Sequence, residues 1–125
     1  MYSGLKKARV LVLGLSFRSG VREFRKSPAK KIIELLKSNG IFVRAFDPVC
    51  SEKDAVGLLG ANEFKNDFEG IDCVVITTNA KEFKQIDWKK ELKKMRTKIV
   101  VDGRQVASPD VVRGEKAVYR GIGRL

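Results

Sequence analysis

Four short apolar runs recur along this chain with helix-forming stretches between them. They are RVLVL (Arg9–Leu13), IFVRAF (Ile41–Phe46), CVVIT (Cys73–Thr77) and KIVVD (Lys98–Asp102). They read as continuous apolar runs rather than as alternating ones, which marks strands covered on both faces. Strands that alternate with helices require right-handed crossovers and parallel pairing. The expected fold is therefore α/β: a three-layer Rossmann-like domain with a mainly parallel sheet, spanning residues 1–125 as one unit.

The punctuation between the runs supports this reading. Ser27-Pro28 announces a helix, because serine caps the first turn and proline suits the first helical position. Ala29, Ile32, Ile33 and Leu36 follow at helical spacing, with Leu35 widening the stripe, and Asn39-Gly40 ends it. Ser51–Leu59 reads as a short helix closed by Gly60. Asn62–Phe64 is a candidate edge strand, Asp67–Gly70 one turn of helix, Lys81–Phe83 another, and Trp88–Met95 an amphipathic helix. The tail AVYRGIGRL adds a further edge strand.

Composition narrows the chemistry. A chain of 125 residues suits a single domain with a real core. No apolar run reaches the roughly 18–20 residues of a membrane span, and the first ten residues lack the apolar core of a signal peptide. A cytoplasmic protein without membrane contact is expected. Histidine is absent and the two cysteines, Cys50 and Cys73, lie far apart in sequence. Zinc therefore lacks a ligand set, and no complete hydrolytic site is present. A reduced pair of cysteines is the expectation, with a disulfide between them left open.

The balance of 26 Lys and Arg against 15 Asp and Glu gives a net charge of +11, which favours anionic partners. Much of the excess is lysine scattered along helical stretches, which is the pattern of a solvated face. A nucleic-acid module is a competing reading. It lacks helix-turn-helix, zinc or RNA-recognition signatures, and its aromatic residues are not interleaved with the basic ones. A phosphoacceptor receiver domain fails as well, since Thr77-Thr78 follows the third core strand where an acceptor aspartate would be needed.

In open α/β sheets ligands bind beyond the carboxyl ends of the strands, at the point where the strand order reverses. The residues following the four runs are Gly14 with the arginine-rich stretch after it, Asp47-Pro48, Thr77-Thr78-Asn79 and Asp102-Gly103-Arg104. They would gather Arg18, Arg22, Arg25 and Arg104 on one rim, and guanidinium forks match phosphate oxygens. The dinucleotide glycine fingerprint is missing: Ser16 and Ser19 stand where its later glycines belong, so direct pyrophosphate binding in that manner is disfavoured. Gly14 either ends a strand or admits a close approach, and Asp102 either caps a loop or lines the site.

These residues also carry a resemblance. GLSFRSGVREFRKSPA (Gly14–Ala29), FDP (Phe46–Pro48), TNAKEF (Thr78–Phe83), VVDGRQV (Val100–Val106) and YRGIGR (Tyr119–Arg124) run in the order of motifs in the C-terminal, UDP-binding domain of nucleotide-sugar dehydrogenases. These are the UDP-glucose and GDP-mannose dehydrogenase group. The resemblance covers nearly the whole chain. It implies the UDP-sugar-binding part of an enzyme that uses NAD to oxidise a sugar C6 alcohol to a carboxylate, with UDP-glucose the expected substrate.

By position, the resemblance places Phe17, Arg18 and Arg104 against the UDP-sugar and Arg25 toward NAD. It assigns no catalytic residue and no metal to this chain. In the family an N-terminal domain holds NAD, and a cysteine in a Gly-Gly-Ser-Cys context forms a thioester. Neither matches anything here, so the isolated chain is expected to be inactive. Its expected partners are the N-terminal and central domains of the same enzyme, and the parent enzyme is expected to be a homo-oligomer. The chain departs from the pattern at Arg18 (usually Lys), Arg22 (usually Asp), Ala80 (usually His) and Gln105 (usually Asn).

Overall fold

The computed structural model describes residues 8–16 and 27–121. Strand β1 (Arg9–Leu13) is followed by helix α1 (Pro28–Ser38) and β2 (Phe42–Phe46). A π-helical segment (Lys53–Leu58) leads to β3 (Glu63–Phe64) and β4 (Cys73–Ile76). Two short helices, α2 (Lys81–Lys84) and α3 (Trp88–Glu91), precede β5 (Ile99–Asp102), and α3 runs into a 3-10 turn at Leu92–Lys94. Helix α4 (Pro109–Gly114) then leads to β6 (Val118–Gly121).

The strands form one sheet in the order β3-β2-β1-β4-β5-β6, and all five pairings are parallel. Strand β1 alternates its side chains between two cores. Val10 and Val12 pack with Ala29 and Ile33 of α1 and Val43 of β2. Leu11 and Leu13 pack on the opposite face with Phe68, Val74, Phe83, Trp88, Leu92 and Val112. Helices on both faces explain why these strands read as continuous apolar runs. The expected α/β three-layer architecture is present, and the sheet is wholly parallel among the described residues.

Local chemistry accounts for the element ends. The Ser27 hydroxyl accepts from the Ala29 N–H at 3.1 Å and Pro28 opens α1, as the sequence predicts. Leu35, expected in the buried stripe, is instead 65% exposed, because only Ala29 and Ile33 of α1 are fully buried against the sheet. Ser51 and Asp54 cap each other reciprocally, the Asp54 carboxylate accepting from the Ser51 N–H and the Ser51 hydroxyl from the Asp54 N–H. Asp67–Gly70 forms a turn and not a helix. The buried Arg44 holds it open by donating to the carbonyls of Asp67 and Glu69, both at 2.9 Å, while its Nε pairs with Glu63.

At the amino ends of the central strands, Asp72 ties three segments together. Its carboxylate accepts from the Arg9 N–H (2.9 Å), the Arg96 guanidinium (2.8 Å) and the Thr97 hydroxyl (2.7 Å). The Arg96 hydrogen bond, followed by Thr97 and the Arg9 amide, outweighs desolvation and holds the Asp72 carboxyl down at about 2.

A carboxylate depressed in the folded state stabilises the fold above its unfolded value near 4, and that contribution disappears as pH falls through about 2. Allowing for screening of the half-exposed Arg96, Asp72→Asn should cost about 1–2 kcal/mol at pH 7. Urea unfolding followed from pH 6 to 2 should show a stability loss below pH 4 that is smaller in the variant. Equal acid slopes in both chains would contradict this assignment.

Candidate functional site

The reversal of strand order falls between β1 and β4. The carboxyl ends of these strands and their neighbours β2 and β5 form the rim that the sequence singles out. Hydrogen bonds lock them side by side: Gly14 N–H to Phe46 O and Thr77 N–H to Leu13 O, both 2.9 Å, and Gly103 N–H to Ile76 O, also 2.9 Å.

Gly14 does more than end a strand. Its φ is +100°, and a Cβ built there would lie 2.6–2.8 Å from the side chains of Thr77 and Thr78. Only glycine tolerates both the conformation and the contact. The Thr77 hydroxyl donates to the Gly14 carbonyl at 2.6 Å, so β1 and β4 touch through backbone as well as side chain. Thr78, fully buried next to it, has a hydroxyl without a hydrogen-bond partner among the described residues.

The turn after β1 is organised by Asp47. This buried carboxylate accepts from the Leu15 N–H at 2.8 Å and more weakly from the Ser16 N–H at 3.4 Å, while its other oxygen accepts from Val49 N–H at 2.9 Å. A dinucleotide fold uses backbone amides at this turn to grip pyrophosphate. Here an internal carboxylate already occupies them, so the turn does not fit a dinucleotide in the fingerprint manner. The Ser27 hydroxyl donates to the Leu15 carbonyl at 2.6 Å. Leu15 and Ser27, which flank segment 17–26 in sequence, are thereby joined directly.

The second loop is organised in the same way. Asp102, fully buried at the end of β5, accepts from the N–H groups of Arg104 (3.1 Å), Val106 (3.0 Å) and Ala107 (2.8 Å). The capping alternative for Asp102 is the one realised. Between the anchored amides Gln105 takes the left-handed φ of 58°, a conformation that asparagine adopts more readily. Arg104 is exposed, and its guanidinium has no carboxylate partner among the described residues.

Of the expected site residues, the structure thus describes Arg104, on an anchored loop at the rim. Phe17, Arg18 and Arg25 lie outside the described residues, as do Arg22 and Glu23. Ala80 is buried immediately before α2. Cys50 and Cys73 are not joined in a disulfide. Burial, and then the charge of Asp72, push the Cys73 thiol up to about 11, which leaves it protonated and a poor nucleophile at neutral pH. Sequence reading placed Asp47 on the rim without its anchoring role. The Asp-Pro-Val order after a strand, which forms an Asx turn on Val49, was the available signal.

Residues 11–109 match the UDP binding domain of the UDP-glucose/GDP-mannose dehydrogenase family. The chain is 35% identical over 119 residues to a UDP-N-acetyl-D-mannosamine dehydrogenase of Pyrococcus horikoshii, covering 94% of this chain and 26% of that protein. It is 32% identical over 134 residues to the UDP-glucose 6-dehydrogenase of Pseudomonas aeruginosa, covering 99% of this chain and 30% of that one. The solved UDP-D-ManNAc dehydrogenase of P. horikoshii superposes with a TM-score of 0.74 at 32% identity, over 95% of this chain and 26% of that one. The chain thus spans less than a third of the length of these relatives.

The two threonines at the crevice make a paired test. Thr77→Val removes the donor to the Gly14 carbonyl and should cost about 1–2 kcal/mol. Thr78→Val removes a buried hydroxyl that has no protein partner and should be neutral or stabilise by about 1 kcal/mol. Chemical denaturation of both variants reads the difference, and equal destabilisation would refute the geometry.

Proposed function

Because the chain belongs to the UDP-glucose/GDP-mannose dehydrogenase family, matching its UDP binding domain, we propose that it is the UDP-sugar-binding part of a larger NAD-dependent dehydrogenase. In this reading the enzyme oxidises the C6 alcohol of UDP-glucose to the carboxylate of UDP-glucuronate. The chain binds the nucleotide half of that substrate and supplies no catalytic group.

The observation that carries the proposal is the anchored Arg104 loop, which follows β5 on the rim one strand from the reversal point of the sheet. A planar guanidinium matches the bidentate hydrogen bonding that phosphate oxygens accept, and because the loop backbone that carries it is already anchored, binding need not order that loop. Asp47 and Ser27 hold Leu15 and Ser16, which in sequence directly precede the proposed sugar-side contacts Phe17 and Arg18. NAD, when bound by the rest of the enzyme, supplies the hydride acceptor. Asp47 fills the amides that would otherwise grip pyrophosphate here, which supports a division of labour in which this domain leaves the cofactor to its neighbours, with Arg25 facing it across the cleft. We place the enzyme in the cytoplasm as a homo-oligomer; no helix among the described residues is long and apolar enough to cross a membrane.

Isothermal titration of the 125-residue chain with UDP and with UDP-glucose tests the proposal. Binding is expected to be weak, in the range of about 10–1000 μM for a site with part of its walls missing. Arg104→Ala should weaken it about tenfold or more, as expected for the loss of a charge-assisted hydrogen bond. The competing basic-module reading predicts instead that single-stranded nucleic acid binds, that UDP does not compete, and that affinity collapses with salt.

A further inference from the structure

The loop that presents Arg104 depends on a residue from a different strand. Asp102 receives three backbone N–H groups from its own loop, and a fourth hydrogen bond comes from the Tyr119 hydroxyl of β6 at 2.9 Å to Oδ2. In the β5–β6 register Tyr119 lies opposite Val100, whereas Gly121 lies opposite Asp102. The tyrosine therefore reaches two residues along the sheet, toward the rim, to meet the carboxylate. Its ring is 3% exposed within the core, with the Arg113 guanidinium 5.6 Å from its centroid. A long, rigid side chain fixed at its base and hydrogen-bonded at its tip is suited to set the position of whatever it touches.

We propose that Tyr119 is a positioning residue for nucleotide binding, acting through Asp102 on the Gly103–Val106 loop and so on Arg104. The assignment rests on the nucleotide-binding reading above. Asp102 Oδ1 brackets Gln105 by holding the amides on either side of it, which keeps that residue left-handed. Such a conformation persists in a non-glycine residue only where the surroundings over-determine it. Oδ2 has two donors, Ala107 N–H and the Tyr119 hydroxyl. Removing the hydroxyl leaves a buried carboxylate oxygen under-satisfied, and the carboxylate can then turn away from the loop. Arg104 loses its fixed starting point while its own chemistry is untouched.

The experiment is a double-mutant cycle on UDP affinity with Tyr119→Phe and Arg104→Ala in the full 125-residue chain, with circular dichroism reporting that each variant folds. Tyr119→Phe alone should weaken UDP about 5-fold, the scale of one partly transmitted hydrogen bond. In the Arg104→Ala background it should change affinity less than about 2-fold, because the residue it positions is gone. Wild-type affinity in Tyr119→Phe, or additive effects in the cycle, would overturn the proposal.

Amide hydrogen exchange in the unliganded wild-type chain gives an independent reading that also serves if the phenylalanine variant does not fold. The Arg104, Val106 and Ala107 amides should exchange as slowly as the β5 ladder, and in Tyr119→Phe they should speed up selectively. Exchange at free-loop rates in the wild type would overturn the positioning role. Should the wild-type chain bind no UDP while these amides remain protected, the nucleotide reading fails and the Tyr119–Asp102 anchoring stands.

Discussion

Strand β1 is paired in parallel on both sides, with β2 and with β4, and the rest of the molecule follows from that double pairing. Parallel neighbours cannot be joined by a hairpin, so each needs a right-handed crossover. Going from β1 outward through β2 to β3 puts α1 and the π-helical segment on one face. Going outward through β4 and β5 puts α2, α3 and α4 on the other. The two directions part between β1 and β4, which is where sheets of this kind bind ligands beyond the carboxyl ends of their strands. The strands have to come close there for the sheet to continue, and Gly14 is the residue that permits it: its missing side chain is the space that Thr77 and Thr78 occupy.

The sheet has the strand order of a dinucleotide-binding fold with different chemistry at the turn after β1. Backbone amides after β1 are a natural anion site, yet Asp47 fills it from within the chain. A buried carboxylate costs desolvation unless it is fully hydrogen-bonded. Asp47 and Asp102 both meet that condition by recruiting backbone amides, and each freezes the loop that supplies them. In place of a generic phosphate cradle the rim thus has loops fixed from within by buried carboxylates, and that is the arrangement on which the proposed nucleotide reading through Arg104 is built.

Much of this was legible in the sequence, and the parts that were not have identifiable reasons. The four core strands, α1 with its Ser27-Pro28 start, the short edge strand around Phe64 and the closing strand were all readable, because each is announced by local pattern or capping chemistry. Helix α4 begins with the same Ser-Pro signal, Ser108 accepting from the Val111 N–H. It went unread because only Val112 of its six residues is buried, so no apolar stripe marks it. Leu35 was misplaced since helical spacing gives a stripe's direction but not its width. Arg44 interrupts an apolar run without breaking the strand, because its guanidinium reaches carbonyls that sequence reading could not bring near. The roles of Asp47, Asp102 and Tyr119 depend on partners from other strands, which no local window contains.

The three structural aspartates also show how placement decides what an arginine is free to do. At the amino ends of the strands, Asp72 takes Arg96 directly, and the pair is consumed in holding the sheet together. At the rim, the equivalent carboxylates are satisfied mainly by backbone N–H groups, joined by the Ser16 hydroxyl at Asp47 and the Tyr119 hydroxyl at Asp102. Had Asp102 been satisfied by the Arg104 guanidinium instead, an anionic ligand would first have to break that pair, and much of its binding energy would go into replacing what was lost. With amides satisfying the aspartate, Arg104 is exposed, fixed at its backbone and without a carboxylate partner among the described residues. Its neighbour Gln105, held left-handed, is the conformational cost of that arrangement, and such costs concentrate where a fold is shaped for binding rather than for stability alone.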